Sequence, residues 1–490
     1  MSKYDLVIVG GGPSGLALAQ CCSRIKNKKV LIVERESDIG GCHRVNRIEH
    51  DNESLFTEHA PRVYSSAYRN FNTLLKDMGT SFDNLFTPYD FQPIGEGIKS
   101  TFNEMTPQEI LNLSLHFGYF IFNNDYGINT SMMKYMTENN YSQRAIDYMD
   151  RSCRLLDGGD AYKLTLNEFL QFINQKFIYT MYQPNSPNDI SLLQIWKTHL
   201  QKNGVEIMLN SEVVNFQHDS DSIISCDIRY KNEIINVNAE HYVIAMPPMS
   251  LIKILKKTSI PNAFGDYNML EKWARDTDYI DYISVSFHWD TKIALPKVYG
   301  FPSSEWGVGF IVMSDYMQFK ESSSATVISV MATILDKPSS FIKKTANQCI
   351  TKKEVIDEIF KQLNDSFSGV LPPPTIAIMT PNIYYHKEKG KWDSSDTAYI
   401  AAVNTTPIPF YSTMYDKLYT LGTHNGMSVY KFTSMESAVT NAISLSHELY
   451  PILKYKYPLK SAANLKEIII YTFIVTIIIF FIIWLLRNVF

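Results

Sequence analysis

Apolar residues at the start of the chain fall into two short runs separated by a glycine-rich turn. Residues 4–9 (YDLVIV) and 29–33 (KVLIV) are rich in β-branched residues, and such unbroken apolar runs are typical of buried parallel strands. Between them, the turn at residues 10–15 (GGGPSG) leads into residues 16–23, whose Ala and Leu content predicts a helix. This order of elements predicts a βαβ unit.

Beyond this unit the hydrophobic spacing changes several times between a helical and a strand period. Apolar side chains three and four residues apart predict helices at residues 68–78, 107–117, 131–138, 142–156, 165–180, 191–203 and 355–367. Alternating or β-branched runs predict two short strands within residues 204–214 and further strands at 240–248, 279–289, 308–313, 325–335, 397–403 and 417–421. Strands that recur after long helical stretches indicate an α/β protein with more than one structural unit.

The last apolar run differs from the others in its length. Residues 468–486 carry no charged side chain, and nineteen such residues are long enough to cross a bilayer. Four lysines precede the run (Lys454, Lys456, Lys460 and Lys466) and Arg487 follows it, which favours a large cytoplasmic part ahead of it. A buried core helix is the alternative, but this run is apolar on every face. We therefore expect a single-pass tail anchor over residues 467–486, with the catalytic part in the cytoplasm.

Composition narrows the classes of partner. The 490 residues carry a net charge of −4, which gives no reason to expect nucleic acid. The six cysteines are scattered, without a C-x-x-C pair or metal-ligand spacing, so we expect reduced thiols and no metal site. The N-terminal residues lead directly into a strand, so a signal peptide is not expected.

The glycine turn is a dinucleotide fingerprint, G-x-G-x-x-G, in the context that makes such a motif informative. Gly10 permits the tight turn, Gly12 lets the backbone approach a pyrophosphate, and Gly15 lets the helix pack closely on the strand. The helix start offers free N–H groups and a partial positive charge to phosphates. Glu34 ends the second strand, where a carboxylate accepts ribose hydroxyls and would repel a 2′-phosphate. These features predict a bound dinucleotide but do not choose between FAD and NAD.

Later segments make that choice. Residues 34–44 (ERESDIGGCHR) carry a glycine pair beyond the ribose acid, and residues 56–62 (FTEHAPR) end in a Pro-Arg turn. Both resemble flavin amine oxidases and protoporphyrinogen oxidases, in which the second strand ends in E-x(5)-GG. Residues 434–438 (SMESA) are similar to the start of that family's closing helix, and residues 300–305 (GFPSSE) resemble a turn of its protoporphyrinogen oxidase branch. The resemblance extends over residues 4–450 and is strongest at both ends.

The resemblance implies an α/β fold, with a Rossmann-like FAD-binding domain assembled from discontinuous segments, an α+β substrate domain and a C-terminal transmembrane helix. The FAD-binding segments would be residues 1–95, 188–260 and 386–460, and the substrate domain would comprise a helical segment, 96–187, and a sheet segment, 261–385. The implied cofactor is non-covalent FAD, because the C-terminal flavin segment has no cysteine. The implied cofactor contacts are Gly10, Gly12, Ser14, Gly15, Glu34, Arg35, Gly41, Cys42, Arg44, Ala60, Pro61, Arg62, Val213 (through its backbone), Gly422, Thr433, Ser434 and Met435.

Residues 433–439 also predict how the last helix begins. Thr433 and Glu436 have the spacing of a capping box, in which each side chain satisfies the free N–H of the other residue. The predicted helix runs from this box to about residue 449. A helix that starts against the flavin pyrimidine would stabilise negative charge on the reduced ring.

The resemblance implies an enzyme that transfers a hydride from an organic substrate to flavin, since flavin carries the redox chemistry in such proteins. Residues 281–289 lack the lysine that many amine oxidases place over the flavin, and Cys42 stands where an arginine is frequent. The substrate therefore stays open between an amine and a lipophilic or porphyrinogen-like molecule, for which the aromatic block at residues 101–180 could form a chamber. The catalytic or substrate-side candidates are His288, His424, Tyr430 and Lys297.

A binding protein on the same fold is the alternative to an enzyme. Rab escort and dissociation-inhibitor proteins share this architecture without flavin. The unbroken fingerprint, Glu34 and the closing helix favour the enzyme.

Overall fold

The computed structural model of the protein describes residues 2–89, 104–295 and 304–489. In chain order the strands are β1 (Ser2–Val9), β2 (Val30–Val33), β3 (Val45–His50), β4 (Glu53–Glu58), β5 (Tyr64–Ser65), β6 (Phe86–Pro88), β7 (Met181–Pro184), β8 (Glu206–Met208), β9 (Ser211–His218), β10 (Ile223–Tyr230), β11 (Glu233–Ile244), β12 (Ile283–Trp289), β13 (Val308–Val312), β14 (Thr326–Ala332), β15 (Ile376–Met379), β16 (Ile383–His386), β17 (Lys391–Ser394) and β18 (Leu418–Thr420). The helices are α1 (Pro13–Ser23), α2 (Arg69–Asp77), α3 (Phe82–Leu85), α4 (Pro107–Phe122), α5 (Met132–Glu138), α6 (Gln143–Asp157), α7 (Leu166–Ile178), α8 (Leu192–Lys202), α9 (Pro248–Lys257), α10 (Tyr267–Asp276), α11 (Lys352–Ser366), α12 (Met435–Leu449), α13 (Leu453–Lys456) and α14 (Leu465–Val489).

Parallel strands form the centre of the largest sheet. The order β8-β2-β1-β11 is parallel throughout, and β18 pairs in parallel with the last three residues of β11. Strands β10 and β9 continue the sheet beside β11 as antiparallel neighbours. The carboxyl ends of the parallel strands therefore meet at one edge of the sheet. The predicted α/β fold with a Rossmann-like unit is confirmed, and the strands of this sheet come from three separate stretches of chain.

Side chains of β1 alternate between two cores, as the two-residue period of a strand requires. Leu6 and Ile8 belong to a core shared with α1, α2, α8 and α12. Val7 and Val9 belong to a second core, shared with α9 and α10. Because helices cover both faces of the sheet, its parallel strands are apolar along their whole length.

A second sheet and a group of helices form the other half of the protein. The sheet is antiparallel, in the order β13-β14-β12-β15, and α11 packs against it. All seven residues of β12 are buried. Helices α4 to α7 share a further core that contains Met132, Tyr135 and Phe169. The antiparallel sheet agrees with the strands predicted at residues 279–289, 308–313 and 325–335.

One predicted strand is wrong. Among the described residues, 397–403 join no strand ladder beyond an isolated bridge between Ala402 and Leu164. The N–H of Ile400 donates to the carbonyl of Thr277 at 2.8 Å, at the end of α10. The segment therefore spans loops and helix ends instead of lying beside another strand, and its β-branched content alone could not reveal this.

Helix α14 is apolar and exposed. Among the described residues, Leu465–Trp484 is the stretch long and apolar enough to cross a membrane, and its described side chains lie at the surface. The 25 residues of the helix span roughly 37 Å. A helical element at the position of the predicted anchor is thus present.

Candidate functional site

A cleft of about 500 Å³ lies where the carboxyl ends of the parallel strands approach the second sheet. Open α/β sheets bind ligands at this edge, and cofactor sites commonly have volumes of about 300–1,000 Å³. Sixteen of the seventeen sequence-predicted cofactor contacts line the cleft: Gly10, Gly12, Ser14, Glu34, Arg35, Gly41, Cys42, Arg44, Ala60, Pro61, Arg62, Val213, Gly422, Thr433, Ser434 and Met435. Gly15 is the exception.

Gly15 packs the helix against the strand behind the cleft. A Cβ atom at Gly15 would overlap with the carbonyl oxygen of Gly10, and a Cβ atom at Gly10 would overlap with that of Ala245. Gly10 also has a φ of +116°, in a region that favours glycine. The absence of side chains at these two positions lets α1 begin directly at the edge of the sheet.

The glycine pair after β2 approaches the first glycine turn. The N–H of Gly40 donates to the carbonyl of Gly11 at 2.8 Å. A Cβ atom on Gly41 would lie 3.0 Å from the Cα of Gly12, and Gly41 has a φ of +54°. Bare backbone from both turns therefore faces the cleft, which is what a close approach by a pyrophosphate needs.

Backbone N–H groups hold the Glu34 carboxylate at the cleft. Its Oε2 accepts from Gly11 at 2.7 Å, and its Oε1 accepts from Glu36 at 2.9 Å. The side chain is 8% exposed, and each oxygen retains lone-pair capacity for a further donor. This arrangement suits two ribose hydroxyls.

The protein itself holds two of the predicted arginines. Arg62 is half-buried and donates to the carbonyl of Cys42, which braces the turn after the glycine pair. Arg44 lies between the carboxylates of Glu36 and Asp396, with its Nη2 3.8 and 3.9 Å from their oxygens. Each guanidinium is therefore oriented before any ligand binds.

The last helix begins later than predicted, and its cap is different. Helix α12 starts at Met435, and the Oγ of Ser434 accepts a backbone N–H of the first turn at 3.0 Å. The hydroxyl of Thr433 instead donates to the carbonyl of Tyr399. The predicted capping box of Thr433 and Glu436 is therefore wrong. Ser434 and Met435 still line the cleft, so the start of the helix faces it.

Glu436 caps a different helix. Its buried carboxylate accepts the backbone N–H groups of Asn70 and Phe71 at 2.9 Å each, and the side-chain amide of Asn70 at 2.9 Å. Both residues belong to the first turn of α2, which follows Tyr68, and tyrosine is not a usual capping residue. The partners are 366 positions apart in the chain, so local spacing could not predict this contact.

The cleft has an apolar wall that the sequence motifs did not predict. Its members come from α6, α7, β7, β14, the loops that precede β12 and α12, and the loop after β17: Leu155, Leu156, Phe172, Met181, Tyr279, Tyr282, Met331, Tyr399 and Phe432. Four of them lie within or next to the aromatic block predicted as a chamber, although most of that block forms the core of α4 to α7. The remaining members could not be found from local sequence, because only the fold brings their loops together.

Asp157, at the end of α6, also lines the cleft. Both of its carboxylate oxygens lie 3.2 Å from the N–H of Thr433, which donates to them. Burial raises the pKa of Asp157 to about 7, and burial together with Asp157 raises the pKa of the neighbouring Glu168. Two neighbouring buried carboxyl groups disfavour ionisation of both at once.

His59 directly precedes the predicted Ala60–Arg62 turn and lines the cleft beside it. Its Nδ1 lies 3.6 Å from Asp396, and its ring centroid is 5.0 Å from that of Tyr282. Burial, followed by the charges of Arg62 and Arg44, lowers the pKa of His59 to about 3. The imidazole is therefore neutral in the folded protein at physiological pH. Its place next to the motif was the signal that could have identified it.

Of the substrate-side candidates, His424 lies in the cleft lining. It is fully buried, and its Nε2 is 3.1 Å from the Oγ1 of Thr420. Tyr430 packs against Phe432, with 5.5 Å between the ring centroids, and lies behind the cleft wall. Lys297 and residues 300–303 of the predicted turn lie outside the described residues.

His288 lies in the interior of the second sheet, away from the cleft lining. Its Nε2 is 2.8 Å from the carbonyl oxygen of Phe56, and its Nδ1 is 2.9 Å from the Oγ of Ser324. The first contact joins β12 to the β3–β4 hairpin, and the second joins it to the loop before β14. Its position is that of a structural histidine.

Comparison with known proteins gives three kinds of likeness. Residues 8–78 match the family model of the NAD(P)-binding Rossmann-like domain. The chain is 31% identical over 108 residues to UDP-galactopyranose mutase from Mycoplasma genitalium, a match that covers 19% of this chain and 26% of that protein. Among solved structures the chain resembles an oxidoreductase from Methanosarcina mazei, with a TM-score of 0.64, 12% identity, and coverage of 91% of this chain and 99% of that one. It also resembles putrescine oxidase (TM-score 0.62, 12% identity, 92% and 99% covered) and cyclohexylamine oxidase from Brevibacterium oxydans (TM-score 0.59, 13% identity, 92% and 100% covered).

These likenesses bear on the fold at two scales. The family model confirms the predicted Rossmann unit at the N-terminus. The solved structures confirm that the arrangement of the units is one that amine oxidases have. The chain spans about a quarter of the length of the curated mutase, so that likeness concerns a segment of the fold.

Proposed function

We propose that this protein is an FAD-dependent oxidoreductase of the amine oxidase type, which takes a hydride from a bound organic substrate. The observation that carries the proposal is the convergence of sixteen residues, expected from sequence to contact FAD, on one cleft. They come from three distant stretches of chain. The likeness to putrescine oxidase and cyclohexylamine oxidase over 92% of the chain supports the same conclusion.

The residues of the cleft fit the parts of FAD. When bound, FAD would supply the two-electron acceptor. The bare backbone at Gly12 and Gly41 would hold the pyrophosphate, and the Glu34 carboxylate would accept ribose hydroxyls. The start of α12, at Ser434 and Met435, would place a partial positive charge where the reduced flavin is negative.

The apolar wall defines the substrate side. Aromatic and aliphatic side chains such as Phe172, Tyr282 and Met331 would bind a lipophilic organic molecule and exclude water from it. Asp157 lines the same cleft, where its carboxylate would accept a proton from the substrate. This wall is compatible with a lipophilic amine and with a larger apolar substrate.

The proposal includes α14 as a single-pass tail anchor that leaves the folded units on the cytoplasmic side. The helix is exposed, apolar and long enough to cross a bilayer. The lysines that precede it favour this orientation.

The test is an absorption spectrum of the detergent-solubilised full-length protein before and after heat denaturation. We expect flavin bands, and a chromophore that heat releases into the supernatant, because no covalent link is expected. Anaerobic addition of lipophilic amines, and separately of protoporphyrinogen, should identify the substrate class by bleaching those bands. A protein that has no flavin bands and does not bind added FAD would refute the enzyme and support the binding scaffold.

A further inference from the structure

Helix α4 exposes an apolar stripe on the side away from its core. The stripe consists of Leu111, Leu115, Tyr119 and Phe122, which are 60%, 54%, 58% and 70% exposed. Their spacing of four, four and three residues places them on one face of the helix. The opposite face, with Phe120, packs into the core of α4 to α7. Single exposed leucines are ordinary, but four contiguous apolar side chains mark a contact surface.

The stripe ends where α14 begins. The Nζ of Lys466, in the first turn of α14, lies 3.5 Å from the carbonyl oxygen of Phe122. The hydroxyl of Tyr179, which follows α7, donates to the carbonyl of Ala463 at 2.7 Å and fixes the approach to α14. A bilayer that surrounds α14 therefore starts beside the stripe.

The charges around the stripe fit an anionic bilayer surface. Helix α4 has no Lys or Arg, and its acidic residue, Glu109, is 6% exposed. The Glu109 carboxylate accepts the N–H groups of Thr106 and Ser142. Insertion of the four stripe side chains would therefore desolvate no charged side chain of α4, and the exposed Asp125 lies three residues beyond Phe122. Lys466, at the start of α14, lies at the end of the stripe, whereas Lys460 contacts Thr73 of α2. A basic residue at such a surface is attracted to anionic lipid.

We infer that α4 is a second membrane contact, which lies in the plane of the interface with the α4 stripe inserted into the lipid. The inference rests on the proposed tail anchor. The stripe extends along about 16 Å of helix, and interfacial helices bury such an apolar face at the boundary between headgroups and acyl chains. Tyr119 fits this depth, because its ring is apolar and its hydroxyl can reach the headgroups.

This placement brings the substrate side of the cleft close to the bilayer. Helix α7 packs against α4 within their common core. Outside that common core, Phe172 and Gln175 of α7 line the cleft. The cleft is thus separated from the lipid-facing stripe by one layer of helices.

The test places an environment-sensitive fluorophore on the full-length protein in vesicles of phosphatidylcholine and phosphatidylserine. The variants are Leu115→Cys and Phe122→Cys, and the control is Met269→Cys, at an exposed position on α10 that packs with a different core. Wild type labelled in the same way gives the background from the six native cysteines. Vesicle flotation is measured first, followed by quenching with acyl-chain nitroxide lipid and with aqueous iodide.

We expect the protein to float and the labels at residues 115 and 122 to be quenched several-fold more by nitroxide lipid than the control label. Flotation with iodide quenching equal to that of the control would overturn the α4 contact while leaving the anchor intact. Protection from both quenchers would also overturn it, and would indicate that a second copy covers the stripe. Failure to float would remove the anchor and the inference together, and the flavin spectrum would still report on the oxidoreductase separately.

Discussion

Gly15 does not line the cleft, but its lack of a side chain lets α1 pack closely on β1 and so positions the cleft. Replacement by alanine would force a Cβ atom into the carbonyl oxygen of Gly10, so α1 must move away from β1. Overpacking of this kind costs about 1–3 kcal/mol. We expect Gly15→Ala to lower the melting temperature of the full-length protein and to release most of its flavin, as measured by thermal unfolding and the ratio of flavin to protein absorbance.

Gly118→Ala is the matched control. Gly118 lies within α4, and a Cβ atom there would have no described heavy atom within 4 Å. Alanine in a helix interior is favoured over glycine by about 0.5–1 kcal/mol. This variant should therefore keep its flavin and melt no lower than wild type. Equal flavin content in both variants would contradict the packing role of Gly15.

His288 is expected to act on stability and not on the reaction. Burial lowers its pKa to about 4, whereas in the unfolded chain it titrates near 6.5. Between about pH 6.5 and about pH 4, the imidazole of His288 is protonated in the unfolded state and neutral in the folded state. The stability that the neutral imidazole contributes is therefore complete above about pH 6.5 and is lost as the pH falls.

His288→Gln removes this dependence. The difference in unfolding free energy between wild type and variant should narrow by roughly 1.4 kcal/mol per pH unit between about pH 6.5 and about pH 4. Denaturant unfolding at stepped pH values measures it, with the exposed His50→Gln as the control for loss of an imidazole. A constant difference, or a variant that no longer reduces its flavin with substrate, would argue against the structural role.

At the residue scale, cleft residues could be predicted from the sequence where a motif requires a particular backbone conformation or position. Gly10, Gly41 and Glu34 could be placed because each has a defined position relative to a strand end. Asp157 and Tyr282 could not, since the loops that bring them to the cleft are neighbours only in the folded chain.

At the element scale, helices followed their local period, and errors arose where tertiary contacts replaced local ones. Most predicted helices agree with the structure to within a few residues, although α4 continues five residues beyond its predicted end. The capping box at the start of α12 failed because the Glu436 carboxylate turns to the N-terminus of α2. The isolated pattern T-x-x-E holds no information about competing N–H donors 366 positions earlier in the chain.

The cross-helix cap predicts a large effect for Glu436→Gln. The amide group of glutamine would face one of the N–H groups of Asn70 and Phe71, which would leave a buried donor without an acceptor. An unsatisfied buried donor costs about 1–3 kcal/mol. We expect a melting temperature lower by about 1–3 °C, measured by thermal unfolding in one detergent.

Glu354→Gln is the control for this prediction. Glu354 closes a capping box on the surface of α11, where water can satisfy a freed N–H group. Its replacement should lower the melting temperature less than Glu436→Gln does. Equal effects would mean that the contact between α12 and α2 adds nothing to an ordinary cap.

At the scale of the whole molecule, the cleft depends on three stretches of chain that fold together. The first supplies Gly12 and Glu34, the second supplies Val213, and the third supplies Gly422 and the start of α12. A cofactor that contacts all three would bind the folded state and not the unfolded one. At a free concentration one hundred times its Kd, such a ligand stabilises the folded state by about 2.7 kcal/mol.

Hydrogen exchange of the FAD-depleted protein, with and without added FAD, measures this coupling directly. We expect FAD to slow exchange in four peptides together, because each includes backbone that lines the cleft. These peptides cover residues 8–16, 40–46, 395–400 and 420–436. Peptides from α11, which packs behind the second sheet, should exchange at an unchanged rate. Slower exchange confined to residues 8–46 would mean that the ligand contacts the N-terminal βαβ unit alone, and the C-terminal helix would then have no part in cofactor binding.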